Sequence, residues 1–294
     1  MNKNGRSMSK TLFSKTAMAL ASVISMSALG QRDFSNVEVI PRHVQGGYYY
    51  LQGAGGNIGL SVGDDGIVMI DDQFAPLTDK ILAAIESISD GEFRFLINTH
   101  VHGDHTGGNE NLGKMGIQIL ARDKVRVRLL EQLADKAALP VVTFQDRITV
   151  HLNGEDAQVI PVPPAHTDGD SIIYFTGSDV IHAGDIFRTV GYHYMDLENG
   201  GSLQGSLDAL AILIGMSGPD TLIVPGHGKV STREDVIEFR DIILDTSNQV
   251  RAMINQGMNY EQIAAANPTA AYDAKWGDPE RFLQGVYKEL GGRD

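Results

Sequence analysis

One short segment concentrates side chains that bind metals. Residues 99–108 read THVHGDHTGG, with three histidines and one aspartate inside six residues. His100 and His102 are two positions apart, so in an extended loop they project to the same side. Asp104 and His105 follow where the nearby glycines allow the chain to turn. Imidazole and carboxylate donors without a thiolate suit zinc or another borderline divalent ion, so the segment predicts a metal centre.

Three further residues have a comparable setting. His166, Asp185 and His227 each follow a predicted strand, and each lies beside glycine or proline in a loop. Residues at the carboxyl ends of strands converge at one edge of a sheet. We therefore expect these three side chains to join the 99–108 segment in a single site.

The elements that position these residues follow from the periodicity of the apolar side chains. Short apolar runs predict strands at Gly47–Leu51, Asn57–Val62, Ile67–Ile70, Phe93–Ile97, Ile117–Leu120, Ile148–Val150, Val159–Val162, Ile172–Phe175, Val180–Ala183 and Leu222–Val224. Helical spacing predicts helices at Leu77–Ile88, Asp123–Lys136, Leu203–Met216 and Pro279–Leu290, with one more from a capping box at Ser231 and Glu234 to about Met258. Strands that alternate with helices predict an α/β protein, with strand clusters before and after about residue 145.

Composition excludes several classes of function. The chain has 294 residues with 24 Lys and Arg against 37 Asp and Glu, a net charge of −13. Such an acidic chain is a poor general binder of nucleic acid, because phosphate binding needs a supply of cations. The absence of cysteine excludes disulfides, thiolate catalysis and Cys-ligated metal sites.

The first thirty residues read as a separate segment. They contain four basic residues and no acidic residue, followed by an uncharged apolar stretch from Thr16 to Leu29. Small residues at Ala28 and Gly30 occupy the positions that a signal peptidase reads. Residues 1–30 therefore predict a cleaved secretory signal, and residues 31–294 one domain that is periplasmic or secreted, with no membrane segment after cleavage.

The order of these motifs resembles the metallo-β-lactamase-fold hydrolase superfamily. The pattern H-x-H-x-D-H, followed by His, Asp and His at strand ends, matches over essentially the whole chain after residue 30. The resemblance implies a four-layer αββα sandwich with a dinuclear zinc site between its halves. Asp71, at the end of the strand Ile67–Ile70, matches an early aspartate of the family that supports the site from outside the ligand set.

The same resemblance assigns seven ligands to two zinc ions. The first ion would be held by His100, His102 and His166. The second ion would be held by Asp104, His105 and His227. Asp185 would bridge the two ions, a shared water of lowered pKa would attack a carbonyl carbon, and Asp104 would also orient that nucleophile. Zinc, manganese and iron accept these ligands alike, so metal identity stays open.

The identity of residue 185 bears on the substrate. Acquired β-lactamases of this fold usually have Cys or Ser there, whereas a bridging Asp is typical of thioesterases, lactonases and phosphodiesterases. The predicted signal and the form of the 99–108 segment favour a β-lactamase-like protein. The sequence thus predicts an exported dinuclear zinc hydrolase that opens a β-lactam or similar cyclic amide or ester. The alternatives are a periplasmic lactonase, thioesterase or phosphodiesterase, and a metal-binding or redox-linked accessory protein.

Three residues are predicted to bind the small-molecule substrate. Arg188 stands three residues after Asp185, the spacing of a lysine that binds the substrate carboxylate in many family β-lactamases, and arginine can do so bidentately. Tyr192 and His193 lie in the following loop and are predicted to line the pocket, as is the neighbouring Tyr194. The alternatives are a surface ion pair for Arg188 and loop packing for the three rings. Oligomeric state is not readable from the sequence.

Overall fold

Alternating apolar and polar residues produce two β-sheets within residues 33–292, the part of the chain that this computed structural model describes. Residues 33–36 belong to a separate N-terminal unit, and all strands and helices of the two sheets belong to the unit that begins at Val37. The predicted signal segment, residues 1–30, lies outside the described residues. Within residues 33–292, no helix combines the length and the apolar character needed to cross a membrane.

The first sheet contains seven strands in chain order: β1 (Ile40–Gln45), β2 (Tyr48–Gln52), β3 (Ile58–Gly63), β4 (Gly66–Ile70), β5 (Phe93–Ile97), β6 (Gln118–Arg122) and β7 (Val142–Phe144). The pairs from β1 to β4 are antiparallel. The pairs from β4 to β7 are parallel. The carboxyl ends of β4 and β5 therefore lie at the same edge.

The second sheet contains five strands: β8 (Ile148–Leu152), β9 (Glu155–Pro161), β10 (Ser171–Phe175), β11 (Val180–His182) and β12 (Leu222–Val224). Its spatial order is β12-β11-β10-β9-β8. Only the β11–β12 pair is parallel among these strands. This order points β9, β11 and β12 in one direction, so their carboxyl ends share an edge as well.

Helices connect the strands and cover the sheets. They are α1 (Thr78–Glu86), α2 (Gly103–Thr106), α3 (Asn109–Lys114), α4 (Asp123–Glu131), α5 (Leu203–Met216), α6 (Arg233–Asn255), α7 (Tyr260–Ala266), α8 (Asp273–Trp276) and α9 (Glu280–Glu289). Residues of α5, α6 and α9 form a large apolar cluster with the outer face of the second sheet. Val125 and Leu129 of α4 pack against Ala121 of β6.

A separate apolar cluster lies between the two sheets. Val68 and Ile97 from the first sheet belong to it, as do Val159, Ile173 and Phe175 from the second. Each fully buried side chain of this kind contributes about 1.5–3 kcal/mol of transfer free energy. Helices outside two packed sheets make four layers, so the predicted α/β class and αββα sandwich are confirmed. The division of the strands near residue 145 is confirmed too, because β7 ends at Phe144 and β8 begins at Ile148.

Several predicted boundaries are wrong for identifiable reasons. The helix predicted to reach Lys136 ends at Glu131, because Leu133 adopts a positive φ of 59°. The N-cap of α6 is Thr232, whose backbone N–H donates to Asp235 Oδ2 at 2.8 Å. Ser231 is not the cap, because its backbone forms a bridge with Ile223 and stays extended. The same helix ends at Asn255 and not at Met258, because Gly257 has a φ of 83°.

Two strands were not predicted. β1 has mostly exposed or half-buried side chains and so lacks an apolar alternation. β7 has only three residues, two of them exposed. Both are edge strands of the first sheet, where pairing with one neighbour determines the conformation more than burial does.

Candidate active site

The candidate site lies where the carboxyl ends of strands from both sheets meet. The segment after β5 carries four of the predicted residues and turns into α2. The loops after β9, β11 and β12 carry the other three. A backbone hydrogen bond joins the sheets at this edge, because Ser171 at the start of β10 donates to the carbonyl oxygen of Thr99 at 2.9 Å.

Three histidines form one cluster, which we call the three-histidine group: His100, His102 and His166. One ring nitrogen from each lies within 4.8 Å of the others. His166 Nε2 and His102 Nδ1 are 2.8 Å apart. His100 Nε2 is buried and has no hydrogen-bond partner.

A second cluster, which we call the mixed group, consists of Asp104, His105 and His227. Its ligand atoms also lie within 4.8 Å of one another. His227 Nε2 is 3.2 Å from Asp104 Oδ2. His105 Nε2 is 3.4 Å from His227 Nε2. Nitrogen and oxygen donors are thus combined in this group.

Asp185 lies between the two groups. Its Oδ1 is 3.2 Å from His105 Nε2, while its Oδ2 is 3.3 Å from His227 Nε2 and 3.6 Å from His166 Nε2. Gly226 packs directly against this carboxylate, since a Cβ at residue 226 would overlap Asp185 Oδ1 and stand 2.7 Å from the carbonyl carbon of Gly184. A glycine at 226 therefore allows Asp185 to reach both groups.

Buried acceptors orient the histidines of the first sheet. Asp71 is fully buried, and its Oδ2 accepts hydrogen bonds from His105 Nδ1 and Thr99 Oγ1, both at 2.7 Å. Because the Thr99 hydroxyl proton goes to Asp71, Thr99 Oγ1 accepts the 2.9 Å hydrogen bond from His100 Nδ1. Both rings therefore donate from Nδ1 to these acceptors and direct Nε2 into the site.

The segment after Asp185 orients two more histidines. His166 Nδ1 donates to the carbonyl oxygen of Tyr194 at 2.7 Å. His102 Nε2 donates to Asp196 Oδ2, also at 2.7 Å. Asp196 was missed by sequence reasoning, and no motif could have found it, since 94 residues separate it from His102.

Burial keeps two rings of the three-histidine group uncharged. Burial, together with the neighbouring rings of His105 and His166, holds the pKa of His100 well below its ordinary value. Burial also lowers the pKa of His166 to about 4. Neutral imidazole is the form that can donate a lone pair to a metal.

Carboxylates reverse this effect in the mixed group. Burial alone would lower the pKa of His105, but the charges of Asp185 and Asp71 raise it well above the ordinary value. The hydrogen bonds to Asp104 and Asp185 likewise outweigh burial and raise the pKa of His227. The hydrogen bond from His227 lowers the pKa of Asp104 to about 2, against the effect of burial. The carboxylates are thus ionised and suited to a cation.

These hydrogen bonds provide a test of whether a metal fits. Because His166 Nδ1 and His102 Nε2 both donate outwards, the other two ring nitrogens, His166 Nε2 and His102 Nδ1, face each other in the site at 2.8 Å. The buried Nε2 of His100 faces inwards without a partner. Three ring nitrogens thus converge on one point, and oxygen acceptors hold the outer nitrogen of each ring, so the donor set fits a divalent metal.

The three predicted substrate-binding residues lie in different surroundings. The backbone of Arg188 forms a β-bridge with His227, which places this residue beside the site. Its side chain Nε donates to the carbonyl oxygen of Val190 at 2.8 Å. The structure does not bring Tyr192 and His193 to a pocket, because both are buried in the core. The Tyr192 hydroxyl donates to Asp273 Oδ1, and His193 Nε2 pairs with Ser206 Oγ.

Tyr194 faces the histidines in place of those two residues. Its ring centroid is 5.5 Å from the ring of His166 and 6.1 Å from the ring of His102. The Arg281 guanidinium lies 3.4 Å above the Tyr194 ring. The sequence located this loop, but it could not determine which of its rings face the site.

One protein-family profile matches more than half of this chain, including the part that carries the candidate site. The profile described as metallo-beta-lactamase superfamily matches residues 52–227, a span that includes all seven predicted metal ligands. A hydroxyacylglutathione hydrolase from Rhodospirillum rubrum is 30% identical over 154 residues, which is 51% of this chain and 54% of that protein. Another, from a Synechococcus strain, is 34% identical over 117 residues, 39% of this chain and 43% of that protein. The chain spans about half the length of these curated relatives.

Solved structures share the fold at low sequence identity. A metallo-beta-lactamase from Pontibacter korlensis has a TM-score of 0.63 at 16% identity, covering 71% of this chain and 100% of that one. The inverting sec-alkylsulfatase Pisa1 from Pseudomonas sp. has a TM-score of 0.73 at 15% identity, covering 87% of this chain and 51% of that one. At these identities the likeness is one of fold, and fold alone does not select a substrate.

Proposed function

Because this chain belongs to the metallo-beta-lactamase superfamily, we propose that it hydrolyses an acyl bond at a dinuclear zinc centre. The superfamily match and the hydroxyacylglutathione hydrolase relatives point to a metal-dependent hydrolase. The observation that carries the proposal is the convergence of histidine ring nitrogens and ionised carboxylates at one edge of the two sheets.

The two clusters would each hold one ion. The three-histidine group would hold one ion and the mixed group the other, with Asp185 in reach of both. Two bound divalent ions lower the pKa of a water molecule and polarise a carbonyl oxygen. The protein's own part is to fix the ligands, since Asp71, Tyr194 and Asp196 accept the outward protons of the histidines.

Asp104 has a further role in this proposal. Its side chain is 29% exposed, so solvent can reach it. An ionised carboxylate there can accept a hydrogen bond from the attacking water and hold it towards the acyl carbon. The hydrogen bond from His227 keeps this carboxylate ionised across the working pH range.

A thioester is the substrate class that we propose first. An aspartate at residue 185 is typical of the thioesterase, lactonase and phosphodiesterase branches. The matched relatives from Rhodospirillum rubrum and Synechococcus carry the name hydroxyacylglutathione hydrolase. These relatives change the order that the sequence alone favoured, which placed a β-lactam or similar cyclic amide or ester first. The cyclic substrates are kept as the second candidate, supported by the form of the 99–108 segment.

A substrate panel tests this order. Protein loaded with two equivalents of zinc would be given a hydroxyacylglutathione thioester, a lactone and a chromogenic cephalosporin, with and without a chelator. We expect chelator-sensitive turnover of the thioester at a rate orders of magnitude above that of the cephalosporin. Preferred cephalosporin turnover would instead select the second candidate.

A matched pair of variants tests the site. His102→Ala should lower both zinc content and turnover. His151→Ala removes an exposed histidine that pairs with Asp156 far from the site, and it should leave both values unchanged. Full activity of His102→Ala would reject the ligand assignment.

We also propose that the protein is exported to the periplasm or beyond. The basic residues and the apolar stretch within residues 1–30 support this location. Mass spectrometry of the protein from a host with a general secretion system should give a mature chain that begins near Gln31. A product that retains Met1 would contradict export.

A further inference from the structure

A short segment connects the candidate metal centre to the C-terminal helices. This connecting loop, residues 192–197, faces the centre on one side. Its Tyr194 carbonyl oxygen accepts from His166 Nδ1, and its Asp196 carboxylate accepts from His102 Nε2. The backbone N–H of Asp196 also donates to the carbonyl oxygen of His166 at 2.9 Å. Two of the three rings in the three-histidine group therefore take their orientation from this loop.

The other side of the connecting loop packs on α8 and α9. The Tyr192 ring stacks on Phe282, with 5.3 Å between centroids and 6° between planes. The Tyr192 hydroxyl donates to Asp273 Oδ1 at 2.8 Å. A Cβ at Gly285 would stand 3.0 Å from Met195 Cε, so glycine lets α9 approach the loop closely. Both rings of the stack are buried.

The helices that make these contacts lie beyond the superfamily match. The match ends at residue 227, whereas α8 begins at Asp273 and α9 at Glu280. The loop itself lies inside the match. The contacts therefore join a segment outside the shared profile to the part that carries the shared site.

We propose that α8 and α9 clamp the connecting loop and thereby set the metal affinity of the three-histidine group. Phe282 and Tyr192 are positioning residues, which act through Tyr194 and Asp196 on the two rings. This inference rests on the proposed function for its metal assignment. It adds that the C-terminal helices control one ion and not the other.

The restriction to one ion follows from the supports of the mixed group. His105 is held by Asp71, which follows β4 of the first sheet. The loop of His227 is held by Asn57, whose backbone N–H donates to the Gly226 carbonyl oxygen at 2.6 Å and whose Nδ2 donates to the Pro225 carbonyl oxygen at 2.8 Å. Asp71 directly follows β4 and Asn57 directly precedes β3, so both supports adjoin strands of the first sheet and not the C-terminal helices. Loosening α9 should therefore change the orientation of His102 and His166 and leave the mixed group intact.

Zinc affinity measured separately at each group tests the clamp. A His227→Ala background leaves the three-histidine group complete, and a His166→Ala background leaves the mixed group complete. Phe282→Leu would be added to each, and zinc affinity measured by competition with a chromophoric chelator. We expect affinity to fall about tenfold in the first background, the usual cost of disturbing a support of a metal ligand, and to stay unchanged in the second.

Two further variants separate positioning from general destabilisation. Tyr192→Phe keeps the stacked rings and loses only the hydroxyl, so it should lose less zinc affinity than Phe282→Leu does. Phe175→Leu is the matched control, because it removes the same kind of ring as Phe282→Leu. The Phe175 ring lies in the core between the sheets, with its centroid 4.7 Å from that of the Tyr48 ring. It should lower thermal stability and leave zinc affinity unchanged in both backgrounds.

The outcomes distinguish this inference from the proposed function. An equal loss at both groups in Phe282→Leu, or a loss as large in Phe175→Leu, would overturn the clamp and leave the metal centre standing. Unchanged affinity in Phe282→Leu would overturn it too. If neither background binds zinc, the metal assignment falls, and the clamp falls with it.

Discussion

The two sheets supply the candidate site in different ways. The first sheet contributes four residues from one continuous segment between His100 and His105, directly after β5. The second sheet contributes His166, Asp185 and His227 from the ends of three strands that are far apart in sequence. The first contribution depends on one local turn. The second depends on the order and direction of β9, β11 and β12.

Their supports differ accordingly. On the first sheet, Asp71 is fully buried and serves His105 directly and His100 through Thr99. On the second sheet, His166 is held instead by a loop, through the Tyr194 carbonyl oxygen. A buried carboxylate gives a rigid and charged support, whereas a loop gives one that depends on what packs behind it. A substitution at the first sheet should therefore disturb only the ligands beside it. A substitution in a remote contact of the loop should be able to disturb the ligands of the second sheet.

Removal of the metal should have the largest effect, because the ions would join the two sides. We expect a chelator to reduce turnover to less than about 1% and zinc to restore it. The thermal midpoint should fall as well, since an ion present at a hundred times its dissociation constant stabilises the fold by about 2.7 kcal/mol. Steady-state assays measure the turnover, and calorimetry measures the thermal midpoint. An unchanged thermal midpoint after metal removal would contradict the proposal that the ions connect the two sheets.

Gly226→Ala should have the next largest effect, on the second side. The new Cβ would overlap Asp185 Oδ1 and stand 2.7 Å from the carbonyl carbon of Gly184, so the backbone would have to shift. We expect about 1–3 kcal/mol lost from the free energy of unfolding, the usual cost of overpacking, together with most of the turnover. Denaturant unfolding and steady-state kinetics measure the two effects.

Gly215→Ala is the control for that substitution. Gly215 lies in α5, and a Cβ there would have no neighbour within 4 Å. Helix propensity predicts a gain of up to about 1 kcal/mol and unchanged kinetics. Equal behaviour of the two alanine variants would remove the role of Gly226.

Asp71→Asn should have a smaller effect, confined to the first side. Asn tolerates the positive φ of 58° at this position, but an amide has one acceptor oxygen for the three hydrogen bonds that Asp71 accepts. We expect zinc affinity of the mixed group to fall about tenfold or more. Chelator competition in the His166→Ala background measures it, with Asp156→Asn at an exposed ion pair as the matched control.

Asp196→Asn should have the smallest effect. Its carboxylate pairs with a ring that is 21% exposed, and an amide oxygen can still accept the proton of His102 Nε2. The charge is lost, together with the long 3.2 Å hydrogen bond from the backbone N–H of Asn199 to Asp196 Oδ1, which predicts about fivefold weaker zinc binding at the three-histidine group. A loss greater than that of Asp71→Asn would mean that the loop-borne support matters more than the buried one.

The sequence predicted the fold and the residues that converge in the candidate site, because both leave periodic or contiguous signals. The composition of the 99–108 segment alone predicts a metal site. The strands predicted before His166, Asp185 and His227 indicate that these three residues join it. Asp196 left no signal, since its role depends on a contact across 94 residues. The orientations of Tyr192 and Tyr194 were equally hidden, because a loop has no period that separates inward from outward rings. Edge strands such as β1 were missed because their pairing is tertiary.

The long sequence separations within the site bear on the order of events in folding. His105 and His227 face each other although they are 122 positions apart in the chain, and His102 and His166 are 64 positions apart. Contacts of such separation form late, after local helices and hairpins. Neither metal group can be complete until both sheets have docked, so an ion cannot nucleate either half alone. Zinc uptake would therefore serve as a reporter of the last folding step, and a chain halted before β12 would have no complete mixed group.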